Sequence, residues 1–257
     1  MLHGWPESWR AFEPLMDRAR DGLRVVAIDL PGIGESKSPA RSNTKRALAH
    51  VVLRVVDRLA LRGVTLVGHD VGGMIVYACL RLRSDSITRA VIMNVAVPGI
   101  DPWSEVRRNP SIWHFGFHAV ERLPETLVEG HQAAYFDFFF DTIAASREAV
   151  PPQARQAHVA AYSRYEALKT GFDWYRAFPQ DEHDNVADQS PVPLPVLYVR
   201  GDREPGGNLD AYVDGLRNSG LRNVRGHVIP HSGHFAPEEQ PAAVLAAIQH
   251  FIRESAH

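Results

Sequence analysis

The chain reads as an α/β protein: a parallel sheet covered by helices on both faces, with a helical segment inserted late in it. Three observations lead there. Short apolar runs of strand character alternate with longer runs of helical periodicity at both ends of the sequence. Gly- and Pro-rich turns separate them. Between the two alternating stretches, residues 98–190 carry many aromatics in a mainly helical pattern that no strand convincingly interrupts.

Taken in order, Trp9, Phe12, Leu15, Met16 and Ala19 recur at helical spacing between Ser8 and Arg20, and Arg24–Asp29 (RVVAID) predicts a short buried strand. That strand runs into Leu30-Pro31-Gly32-Ile33-Gly34-Glu35-Ser36, whose glycines and proline force a turn, and Thr44–Leu61 returns to helical periodicity. Val64–Val67 predicts the next strand, leading through Gly68-His69-Asp70-Val71-Gly72-Gly73 into an apolar helix from Met74 to Leu82. Ala90–Val95 is the strand after it. Pro102 to Asn185 holds Trp103, Trp113, Phe115, Phe136 and Phe139 and reads as a helical cap, most of whose aromatics are expected to form the lid's own core. Residues 186–195 (VADQSPVPLP) are proline-rich and predict an extended return linker. Alternation resumes with the strand Val196–Arg200, a helix at Leu209–Asn218, the strand Val224–Ile229 and a closing helix from Ala242 to Arg253. The division is therefore 1–97 for the first part of the core, 98–190 for the cap and 191–257 for the second part of the core.

Composition narrows the function classes. With 257 residues, 45% of them hydrophobic, and 28 basic against 30 acidic side chains, the chain has room for a large core and no basic footprint for nucleic acid. Charges interrupt every apolar run before membrane-spanning length, so no membrane insertion is expected. The single cysteine, Cys79, excludes an intramolecular disulfide and leaves no Cys/His cluster for structural zinc. Lysine stands only at positions 37, 45 and 169, a bias read as the base composition of a high-GC bacterium.

In Gly68–Gly73 a strand ends, one residue is held on a tight turn and a helix begins, with small residues where the backbone must pass closely. This is the pattern of a nucleophile elbow with Asp at its centre, which points to a carboxylate attacking carbon, and so to alkyl rather than acyl transfer. The helix N-terminus and neighbouring amides would keep Asp70 ionised. The alternative is an Asp that merely caps the following helix. An alkyl ester on Asp70 must be hydrolysed, and His234, in the loop His231-Ser232-Gly233-His234-Phe235 between a strand and the last helix, is the candidate base. The histidine needs an acceptor to orient it, and the loop Gly201-Asp202-Arg203-Glu204 offers Glu204 first and Asp202 second. His3-Gly4-Trp5-Pro6 would supply the amide of Trp5, with that of Val71, to an oxyanion hole for the second step; alone it is also a plain turn.

Together HGWP, DLPGIGES, GHDVGG, GDRE and SGHF, in this order and over almost the whole chain, resemble the α/β-hydrolase superfamily. The aspartate elbow resembles its epoxide hydrolase and haloalkane or haloacetate dehalogenase branch. Trp113-His114-Phe115, Tyr162 and Gly171-Phe172-Asp173-Trp174-Tyr175-Arg176 resemble the caps of Cif-type epoxide hydrolases, in which a His and Tyr pair binds the epoxide oxygen. The resemblance implies His114 and Tyr162 for that pair, with Tyr165 and Tyr135 as fallback donors. It implies no cofactor and no metal, and a small apolar epoxide as substrate. Asn94 stands where many relatives carry the orienting acid. Val71 and Met74 stand where dehalogenases carry a halide-binding Trp or carboxylate-binding arginines, which counts against dehalogenation, although Trp113 or His114 could also hold a halide. The HGxP turn begins at residue 3, where the family has two or three preceding strands, so the sheet is expected to lack its N-terminal strands and to favour a homodimer through an open edge. Cytoplasmic location is the default. The expectation is an epoxide hydrolase working through an alkyl-Asp70 ester, against a dehalogenase using the same Asp and His, and against a degenerate hydrolase fold that only binds.

Overall fold

The computed structural model describes residues 1–19, 22–38 and 40–255. Its sheet has four parallel strands in sequential order, β1 (Val64–His69), β2 (Ile87–Met93), β3 (Val192–Gly201) and β4 (Leu221–Ile229). The helices are α1 (Glu13–Met16), α2 (Lys45–Arg58), α3 (Val71–Leu82), α4 (Trp103–Arg108), α5 (Trp113–Ala119), α6 (Leu123–Val128), α7 (Gln132–Ile143), α8 (Pro152–Ala161), α9 (Tyr165–Arg176), α10 (Phe178–Ala187), α11 (Leu209–Asn218), α12 (Ala236–Glu239) and α13 (Pro241–Glu254).

Strand residues sort by twos onto the two faces. Leu66, Ala90, Ile92, Val196 and Tyr198 join the core beneath α2, α3 and α11, while Val67, Val91, Met93, Leu197 and Val199 join the one built with α1 and α13. Burial on both sides is why these strands are apolar almost throughout. β4 closes the sheet and differs: Arg222, Asn223, Arg225 and His227 are exposed along it, the polar dressing that discourages edge-to-edge pairing.

Several expectations are corrected. Arg24–Asp29 forms no regular strand; Ile28 makes one bridge, to Leu2, which in turn bridges Gly68. A strand is defined by a ladder of partners, and among the described residues only Met1 and Leu2 pair with the backbone of this segment. The helix expected between Ser8 and Arg20 is a 3₁₀ turn at Trp9–Phe12 followed by the single turn α1, and Arg20 lies outside the described residues. The linker expected at 186–195 is shorter, because Val192–Pro195 already belong to β3, with a register shift where the prolines stand.

Residues 94–191 hold no strand, and α4, α5, α7 and α9 of this segment line a cavity with Asp70, Asn94 and Glu204 at the carboxyl ends of β1–β3. Phe136, Phe140, Tyr162, Phe172 and Trp174 are fully buried, not in the separate lid core the sequence predicts but in the apolar core that also holds Trp5, Ile75 and Ile92. Buried ion pairs tie the segment to the sheet layer: Lys45 of α2 meets Asp181 of α10 at 2.7 Å, and His158 of α8 meets Glu238 of α12 at 3.2 Å. Among the described residues no helix is long and apolar enough to cross a membrane.

Candidate active site

The elbow between β1 and α3 holds Asp70 at φ 48° and ψ −123°, a conformation costly for a residue with a side chain and kept only where the surroundings impose it. They do so by close approach. A Cβ on Gly68 would lie 2.2 Å from the Gly72 carbonyl oxygen, one on Gly72 would lie 2.2 Å from that of Leu2, and one on Gly4 would lie 2.3 Å from Asp70 Cβ. The Asp70 carboxylate does not cap α3. Instead Oδ1 accepts the Trp5 N–H at 2.9 Å. Val71 is the first residue of α3, so its amide has no intrahelical acceptor.

Across from Asp70 stands His234. Its Nδ1 is hydrogen-bonded to Glu204 Oε1 at 2.8 Å, and its Nε2 lies 3.8 Å from Asp70 Oδ2, too far for a hydrogen bond. Its backbone is fixed from three sides. The His234 N–H donates to the Ile143 carbonyl at 2.9 Å, and its own carbonyl accepts from His69 Nε2 at 2.6 Å. Glu239 accepts the flanking amides of Gly233 at 2.9 Å and Phe235 at 2.7 Å. Behind His69, Glu7 Oε2 lies 2.7 Å from Nδ1. Burial opposes charge on both, but their attraction prevails and holds Glu7 down to about 2 and His69 up to about 9.

Glu204 sits in the loop after β3, its side chain 7% exposed. Burial alone would raise its carboxyl, but the hydrogen bond and charge of His234, the nearby Arg200 and the Asn94 amide outweigh that and hold it below the usual carboxylate range. Asp202, the other sequence candidate, is exposed and accepts the Ser232 amide at 3.1 Å, a loop-bracing role away from the imidazole.

Asp70, His234 and Glu204 open onto a cavity of about 260 Å³ between the sheet ends and the helical segment. His114 lines it; burial, helped by the proximity of His234, pushes its imidazole down to about 3, so the ring is neutral. Tyr162 does not line it. That ring is wholly buried against Phe136, with centroids 5.3 Å apart, and its hydroxyl has no partner. The fallback donors do not line it either: Tyr135 is engaged with His118 Nε2 at 2.8 Å, and Tyr165 is 43% exposed. Two tyrosines line the cavity with His114: Tyr212, which lies under the Arg200 guanidinium, and Tyr175, whose ring centroid is 5.8 Å from that of His114 and whose phenol burial pushes well above the ordinary range, so it stays protonated. A stripe of Leu168, Phe172 and Tyr175 at helical spacing was the available signal, since it gives α9 one inward face. Trp113, the other candidate for holding a halide, is 45% exposed and outside the cavity. Sequence reasoning also missed Arg200 and Glu239, and it took Asn94 only as a departure, although Asn94 Nδ2 donates to Glu204 Oε2 at 2.7 Å.

A family model described as alpha/beta hydrolase fold matches residues 1–241. The chain belongs to the α/β-hydrolase fold family. It is 27% identical to a soluble epoxide hydrolase of Corynebacterium sp. strain C12 over 254 residues, covering 95% of this chain and 86% of that protein. It is 25% identical to a haloalkane dehalogenase of Psychrobacter cryohalolentis over 278 residues, covering 99% and 83%. The crystal structure of Cfl2 from Burkholderia cenocepacia superposes with a TM-score of 0.88 at 30% identity, covering 98% of this chain and 86% of that one. Family membership and these relatives support hydrolase activity.

Proposed function

We propose that the protein is an epoxide hydrolase that opens an epoxide to a vicinal diol through a covalent ester on Asp70. The observation that carries this is the pairing of two uncharged donor side chains, His114 and Tyr175, in the cavity that also holds the elbow aspartate. Opening an epoxide puts charge on its oxygen, and such a pair meets it.

Because Asp70 Oδ1 is occupied by the Trp5 amide, Oδ2 is the attacking oxygen. It forms the new C–O bond as the epoxide C–O bond breaks, and the alkoxide takes a proton from Tyr175, assisted by a hydrogen bond from His114; solvent restores the phenol. In the second step His234 Nε2 removes a proton from water as its oxygen attacks the ester carbonyl. The oxyanion forms at Oδ1, where the Trp5 and Val71 amides receive it. Collapse releases the diol as His234 returns its proton to the leaving alkoxide, and Asp70, now carrying an oxygen from water, loses that oxygen's proton to solvent, which balances the proton that restored the phenol. Glu204 fixes the tautomer of His234 and stabilises its cation. The helical segment acts as a cap, and the cavity walls of Met74, Val95, Phe139, Ile143 and Phe235 suit a small apolar epoxide.

The test is intact-mass spectrometry of the His234→Gln variant after exposure to epoxides and organohalides. An adduct of the whole epoxide mass is expected. An adduct that lacks the halogen, with no epoxide adduct, would make the protein a dehalogenase instead.

A further inference from the structure

We propose that Asn94 and Arg200 are positioning residues that clamp one oxygen of Glu204, so that the other is presented to His234 in the orientation ester hydrolysis needs. The inference rests on the roles of Asp70, His234 and Glu204 given above. A carboxylate has two equivalent oxygens and turns readily about its last bond, so orienting a histidine requires that one oxygen be held elsewhere. Here Oε2 accepts Asn94 Nδ2 at 2.7 Å and faces the Arg200 guanidinium at 3.3 Å, which leaves Oε1 to His234 at 2.8 Å.

Both clamp residues are themselves held. Asn94 follows β2 at φ 53°, and its amide donates to the Val199 carbonyl at 3.0 Å. Its Nδ2 also donates to the Gly233 carbonyl at 3.2 Å, so one side-chain amide spends both hydrogens tying the acid to the loop that carries the base. Arg200 is 5% exposed, lies over the Tyr212 ring at 4.5 Å, and donates to the carbonyls of Pro205, at 2.9 Å, and Gly206. It thus fastens the backbone on the far side of Glu204 and sets a fixed cation beside the acid. A carboxylate at position 94 would face Glu204 at that same short distance and repel it, whereas Asn supplies a donor. Around Glu204 stand His234 from the last loop, Arg200 and Tyr198 from β3, and Tyr212 from α11. Arg200 is the one permanent cation among them, and it favours the ionised acid.

The experiment follows ester formation and decay separately, by rapid quench and intact mass, in Asn94→Ala, Arg200→Gln and Arg200→Lys, using an electrophile that alkylates the parent protein. Expected is ester formation at the parent's rate in all three. Decay slows about 10²-fold in Asn94→Ala and Arg200→Gln, the scale of a misplaced catalytic group. In Arg200→Gln the acid-side loss of decay also moves to higher pH, while Arg200→Lys keeps the parent's profile. A second readout needs no substrate: the downfield proton resonance of His234 Nδ1, identified by its absence in His234→Gln, should move upfield or broaden in Asn94→Ala. Unchanged decay, or equal slowing of both steps with a lowered melting temperature, overturns the clamp. If nothing alkylates the parent, it is the proposed reaction that fails. The resonance then decides by itself: unmoved in Asn94→Ala, it overturns the clamp, and displaced, it supports it.

Discussion

Replacing Tyr162 by Phe should stabilise the protein and leave the first chemical step intact, while the same change at Tyr175 should stall that step. Tyr162 is fully buried and its hydroxyl has no hydrogen-bond partner. An unpaired buried hydroxyl costs roughly 1–3 kcal/mol, which Phe removes. The void left by one oxygen, roughly 10 Å³, costs only about 0.2 kcal/mol. The net gain of about 1–3 kcal/mol raises the melting midpoint of a chain of this length by roughly 2–11 °C. Tyr175 shares the cavity with His114, and loss of one donor to a developing oxyanion slows the step it serves by about 10²–10³. Differential scanning fluorimetry reads the first effect. The rate of ester formation in a His234→Gln background reads the second. The assignment is refuted if Tyr162→Phe slows ester formation as much as Tyr175→Phe does, at an unchanged or lower melting midpoint.

Three further outcomes are expected. A Cβ at Gly4 would sit 2.6 Å from Asp70 Oδ1, so Gly4→Ala pushes the carboxylate off the Trp5 amide and slows ester hydrolysis by about 10²–10³ without unfolding the chain; rapid-quench mass spectrometry and circular dichroism check both halves. Glu204→Gln should slow ester decay by up to about 10⁴, while Asp202→Asn leaves it unchanged, and the reverse pattern would exchange their roles. The Glu7–His69 pair makes stability depend on pH in a signed way. His69, raised from 6.5 to about 9, stabilises the fold fully below pH 6.5 and loses this as pH rises through 9. Glu7, lowered from 4.5 to about 2, stabilises it above pH 4.5 and loses this as pH falls through 2. The gap in melting temperature between the parent and Glu7→Gln should be widest between pH 4.5 and 6.5, and a gap that does not vary with pH would rule the pair out as its source.

The elbow was legible in the sequence because each small residue there answers a local demand. Gly68 and Gly72 are spaced as a strand, turn and helix require, and the close approaches they permit are the ones found. The helix Leu209–Asn218 was equally plain, with Asn208 accepting the Ala211 amide at 2.9 Å as its cap. Signals of this kind act within a few residues, and so they survive without a fold. The segment 24–29 has strand composition, but pairing needs neighbours that composition does not supply. Tyr162 and Tyr175 are both aromatic residues in helical surroundings, and only packing against the sheet ends determines which faces the cavity. Asn94 looked like a lost acid, because its partner Glu204 lies 110 residues further along the chain. Residue type and spacing therefore determined the elements whose signals are local, and brought Asp70, His234 and Glu204 forward as candidates. Tertiary structure decided which donors face the cavity and which groups hold the acid, because those contacts join segments that meet only when the layers pack.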